Sequence, residues 1–132
     1  MIKGFEKRTR PLNKEEMRVA NHLFMLFKLT PKFRKNNIIR SELKRVFNIR
    51  VTAARLRAII HYMRCELCGS HGYVIATKKG YKYSNDLKEL RDYEEAINAR
   101  INSQLEIYNE LVRRIRWIKI QKRGENESLR IK

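Results

Sequence analysis

This sequence predicts a mainly α fold with one small β-hairpin, followed by a long, coiled-coil-like C-terminal helix. Three observations predict it. Between Ser41 and Ser84, two short helical patterns separated by a tight break run into two β-prone stretches around a Lys-Lys-Gly turn. Ahead of them, the chain from Asn13 carries a helical apolar stripe behind a capping signal. After them, neither Pro nor Gly occurs from Asp86 to Lys122, and apolar residues recur on a seven-residue period. Helix, break, helix and basic hairpin, in that order, are the sequence form of a winged helix-turn-helix. The expected organisation is a basic arm over residues 1–12, the winged helix-turn-helix over 13–85, a dimerising helix over 86–123 and a flexible tail over 124–132.

Taken in order, the arm is basic at Lys3, Lys7, Arg8 and Arg10 and ends at Pro11. It is expected either to follow a DNA groove or to dock through Phe5. Asn13 to Glu16 is close to a capping box, and Glu15 and Glu16 suit the positive end of a helix dipole. Met17, Ala20, Leu23 or Phe24, and Phe27 then form the expected buried stripe, and the helix should stop before Pro31. Thr30 to Asn37 reads as a basic loop, with Ile38 and Ile39 as a short edge strand that pairs with the hairpin.

Ser41 is placed to cap the next helix, with Leu43, Val46 and Phe47 as its apolar edge and Asn48 as its stop. Thr52 then caps a second helix in which Leu56, Ile59, Ile60 and Met63 share the inner face. Opposite them, at about 100° per residue, stand Ala54, Ala58 and His61, flanked by Arg55, Arg57, Tyr62 and Arg64. Small residues let a helix backbone approach a major groove, and arginines beside them reach guanine edges or phosphates. The plainer reading is a solvated basic face. Tyr73–Ala76 and Tyr81–Tyr83 are β-prone, and Gly80 supplies the positive φ of the turn between them. The expected DNA-contacting residues are Arg50, Thr52, Arg55, Arg57 and His61, with Lys78 and Lys79 on the backbone.

In the terminal helix, Leu87, Glu94, Ile101, Tyr108 and Ile115 take heptad position a, and Leu90, Ile97, Gln104, Leu111 and Ile118 take d. Leu105 and Val112 widen the stripe. A seam of this length predicts a homodimer, whose helices pair parallel or antiparallel. The rival is an internal hairpin broken near residues 98–102. Six cations from Arg113 to Arg123 suit the helix terminus and exceed what capping requires.

The chain has 31 Lys and Arg against 14 Asp and Glu, a formal charge of +17, so a polyanion is the expected partner. The charge is blocked: +7 over residues 1–36, +8 over 37–85, −4 over 86–110 and +6 over 111–132. No apolar run of membrane-spanning length occurs, and MIKGFEKRTR lacks an apolar signal core, so a cytoplasmic location is expected.

The segments GFEKRTRPL (Gly4 to Leu12), ARLRAIIHYMR (Ala54 to Arg64) and VIATKKGYKYSND (Val74 to Asp86) resemble small winged-helix proteins encoded by phages and prophages. The resemblance implies a winged-helix DNA-binding domain with a helical extension, and bears on fold and partner class rather than on biological role. Use in transcriptional regulation or replication organisation is the expectation for the chain as a whole. Cys65 and Cys68 depart from that pattern.

Cys65 and Cys68, with His61 and His71, are weak candidates for a metal site. The four lie within eleven residues, whereas zinc folds usually join two separated ligand pairs, so reduced thiols are the stronger expectation. No P-loop, GxSxG or HExxH occurs, so no catalysis, cofactor or small-molecule substrate is expected. Two further readings stay open: an adaptor or virion protein using the winged helix for protein contacts, and RNA binding.

Overall fold

The structure, a computed structural model, describes residues 10–131, with side chains from 10 to 126. The expected arm falls largely outside the described residues. The chain divides into two units between Tyr93 and Glu94.

In the first unit, helix α1 spans Lys14–Leu29 and opens on a complete capping box. The Asn13 side-chain oxygen accepts from the Glu16 amide at 2.8 Å, and Glu16 Oε1 accepts from the Asn13 amide at 3.0 Å. These bonds satisfy two amides that a helix start leaves open. Helix α1 ends ahead of Pro31, as expected. Its buried stripe is Glu16, Val19, Ala20, Leu23 and Phe27, which corrects the sequence expectation at Met17, exposed here. The stripe is turned because Glu16, at its head, faces an interior partner.

Helix α2, Asn36–Phe47, begins earlier than Ser41 and absorbs Ile38 and Ile39, which corrects the expected edge strand. The pairing expected of those two residues falls instead to Arg34. Its amide donates to the Tyr81 carbonyl at 2.9 Å and its carbonyl accepts from the Tyr81 amide at 2.8 Å. Lys35 stands at the α2 N-cap without a side-chain cap bond, so no local signal marks this start. Ser41 instead donates its hydroxyl back to the Asn37 carbonyl. Ile39 and Leu43 enter the core, whereas Val46 and Phe47 are exposed, another correction. Asn48 ends the helix in the left-handed region at φ 55°, which Asn tolerates better than most residues.

Helix α3, Ala53–Tyr62, starts from Thr52, whose hydroxyl accepts from the Arg55 amide at 3.1 Å. Leu56, Ile59, Ile60 and, in the π-helical turn Met63–Leu67 that follows, Met63 are buried, as their spacing predicts. Strands β1, Tyr73–Thr77, and β2, Gly80–Ser84, pair antiparallel from Tyr73↔Ser84 to Thr77↔Gly80, leaving Lys78 and Lys79 as the turn. Gly80 has φ +117°, and a Cβ there would run into the Arg34 backbone. One core joins Val19, Leu23 and Phe27 of α1, Leu43 of α2, Leu56 and Ile60 of α3, and Val74 of β1.

Helix α4 spans Leu87–Ile131. It continues through Gly124, which corrects the expected tail, and runs unbroken past residues 98–102, which removes the hairpin alternative. In the second unit Ile101, Leu105, Tyr108, Leu111, Ile115 and Ile118 are exposed, while Ile97 and Val112 are half-buried.

Candidate nucleic-acid interface

The outer face of α3 is built by what lies on its inner face. With Leu56, Ile59 and Ile60 locked in the core, Arg57 and His61 are exposed one helical turn apart, and Ala54 and Ala58 add no bulk beside them. The entry to this helix is fixed from several directions. Ile49 and Val51 pack against the core, and the Ile49 amide donates to the Leu43 carbonyl at 3.3 Å. The Asn36 side chain donates to the Ala53 carbonyl at 3.5 Å and accepts from Arg40 Nε at 2.7 Å. Arg50 and Thr52 lie at the entry, both exposed.

Arg55 is the correction among the expected DNA contacts. Its guanidinium is buried and grips the Glu16 carboxylate with two bonds, Nε to Oε2 at 2.6 Å and a terminal nitrogen to Oε1 at 2.7 Å. It also donates to the Arg10 and Pro11 carbonyls. Hydrogen bonding to Arg55 is the main reason the Glu16 carboxyl lies below its ordinary pKa, against the opposing effect of burial. The same pair holds Arg55 above its own ordinary value. Glu16 satisfies this cation internally, which takes it away from any groove. Arg64 likewise turns inward: Nε donates to the Val74 carbonyl at 2.8 Å and a terminal nitrogen donates to the Tyr93 hydroxyl at 2.9 Å. Its guanidinium lies 5.6 Å from the Tyr73 ring centre and 5.7 Å from that of Tyr93, and the two rings are themselves 6.5 Å apart.

At the hairpin turn Lys78 and Lys79 are both exposed, and the Lys79 amide donates to the Thr77 hydroxyl at 3.1 Å. Lys79 is not isolated. Its ammonium stands 5.9 Å from the Phe33 ring centre, and Lys82 approaches the same ring at 5.3 Å. Lys79 also shares a groove with Lys32, Arg34 and Lys35, lined beneath by Leu26 and Ile38. The sequence reads Lys32, Arg34 and Lys35 as a basic loop and gives Phe33 no role. An aromatic residue set among basic ones is the signal that points to it. Lys82 is partly neutralised, since it donates to both Glu89 oxygens at 2.9 and 3.0 Å.

The Cys and His candidates do not converge. Cys65 Sγ lies 3.6 Å from His61 Nε2, whereas Cys68 is buried in the core, where desolvation raises its thiol pKa. Both thiols are free, and among the described residues no three metal-ligating groups come together. No described helix is long and apolar enough to cross a membrane. No family model, curated protein or solved structure matches the chain.

Proposed function

We propose that residues 13–85 form a winged helix-turn-helix that binds double-stranded DNA, and that the chain works as a homodimer through the helix over 86–123. The observation that carries this reading is the outer face of α3, where Arg57 and His61 stand exposed beside Ala54 and Ala58 on a helix anchored by its opposite side. A narrow, basic, firmly held helix is what a major groove admits. The chain order supports it: helix, the Arg34 bridge, two helices across a left-handed corner, then a hairpin that returns to Arg34. Lys78, Lys79, Lys32 and Lys35 supply phosphate contacts that set register without reading sequence. The protein acts as a binding module rather than an enzyme, in transcriptional regulation or in organising replicating DNA. A phage origin rests on the quoted sequence segments alone.

Fluorescence anisotropy of the full chain on labelled duplex DNA, single strands and structured RNA of equal length tests this reading. The expected result is preference for duplex DNA, with log Kd linear in log salt. Arg57→Ala or Lys78→Ala should each lower that slope by about 1 for each phosphate left without its cation. Preference for structured RNA would move the partner to RNA. A slope and affinity untouched by both substitutions would favour the adaptor reading.

A further inference from the structure

We infer that the second copy bound along the 94–122 part of α4 runs antiparallel, in a register that brings Glu94 of each chain beside Lys122 of the other. This rests on the homodimer reading above and names its geometry.

Between Glu94 and Lys122, the seam of α4 holds a charge at two of its own positions. Glu94 and Lys122 both fall at heptad position a, in line with Ile101, Tyr108 and Ile115, and both are exposed in the single chain. In a parallel pair each a residue meets its own copy, so Glu94 would face Glu94 and Lys122 would face Lys122. Like charges forced together in a water-poor seam are strongly disfavoured. An antiparallel pair instead matches a against d. One register places Ile97 on the partner's Ile115, Ile101 on the partner's Leu111, Gln104 on the partner's Tyr108, and Glu94 on the partner's Ile118. Lys122 of the partner then follows one turn beyond its Ile118, within reach of Glu94. The seam charges become an ion pair, formed twice by symmetry.

The charge blocks favour the same direction. Residues 86–110 carry −4 and residues 111–132 carry +6, so a parallel pair sets each block against its like, and an antiparallel pair sets it against its opposite. In this register Leu105 meets its own copy on one flank of the two-fold and Ile107 meets its own copy on the other, so the exposed apolar residues at mid-helix are covered. The register also sets Arg100 near Arg114 of the partner, both exposed at the rim, where water screens like charges far better than in the seam. Trp117 and Ile120, which are also exposed, lie off this seam and are left uncovered.

The test uses the full chain. Sedimentation equilibrium at micromolar concentration should give a dimer. Glu94→Lys should weaken it by about tenfold or more, and Glu94→Lys combined with Lys122→Glu should restore it. In a parallel pair the double change leaves like facing like and rescues nothing. Orientation is read directly from a spin label at Gln121→Cys in a Cys65→Ser background. At 1.5 Å rise per residue the two labels should be about 45 Å apart in the antiparallel register, against roughly 10 Å if parallel. A dimer with the short distance overturns the antiparallel assignment and leaves the homodimer standing. A monomer overturns both, and duplex binding in the anisotropy assay is judged separately.

Discussion

Arg55 and Glu16, 39 residues apart in sequence, are joined by two hydrogen bonds of 2.6 and 2.7 Å inside the first unit. The pair ties the start of α3 to the start of α1. It also explains why the capping box of α1 is turned inward, since Glu16 serves the Asn13 amide and the guanidinium together. A bidentate, buried carboxylate–guanidinium pair is the strong form of such contact, and removing one partner strands the other charge.

Glu16→Ala or Arg55→Ala should therefore destabilise the chain by about 3–5 kcal/mol, read as a lower urea midpoint. If Arg55→Ala instead left stability intact and abolished DNA binding, Arg55 would belong to the interface after all.

Acid should unfold the first unit through the same pair. Glu16 has its pKa lowered in the fold, chiefly by Arg55, so its contribution is fully present above the unfolded value of about 4.3 and is lost as pH falls through the lower folded value. Glu89, lowered chiefly by its hydrogen bond from Lys82, acts in the same direction. Urea midpoints measured from neutral pH downward should hold until the carboxylate range and then drop, and Glu16→Gln should flatten that drop.

Arg57→Ala and His61→Ala should leave stability within about 0.5 kcal/mol of the parent, because neither side chain enters the core. Circular dichroism melts check this. Normal melting with weakened duplex binding assigns the two residues to the surface role proposed for them.

Gly80→Ala should cost about 1–3 kcal/mol, since it combines a positive φ with a Cβ driven into the Arg34 backbone. Hydrogen exchange would locate the damage: the Arg34 and Tyr81 amides should lose protection ahead of the α1 amides.

Arg64→Met removes charged hydrogen bonds to the Val74 carbonyl and the Tyr93 hydroxyl, each worth about 1.5–3 kcal/mol. Exchange should quicken at residues 87–93 in particular. Unchanged protection there would show that the start of α4 is held by other contacts, Lys82–Glu89 foremost.

What the sequence determined by itself was local. The Asn13–Glu16 box, the Thr52 cap, the stop at Asn48 and the turn before Gly80 each depend on groups a few residues apart, so their identities were sufficient. The buried face of α3 was legible for the same reason, because helical periodicity places Leu56, Ile59, Ile60 and Met63 together in any context. The tertiary structure alone decided which cations stay outside. Arg55 and Arg57 are equivalent in the sequence, yet one finds Glu16 and two carbonyls from a distant segment while the other finds water. The same holds for Phe33 beneath Lys79 and for the Arg34–Tyr81 bridge. Helix caps and turns close over short loops of chain. An ion pair spanning 39 residues forms only once the core has placed both ends, and no local pattern encodes it.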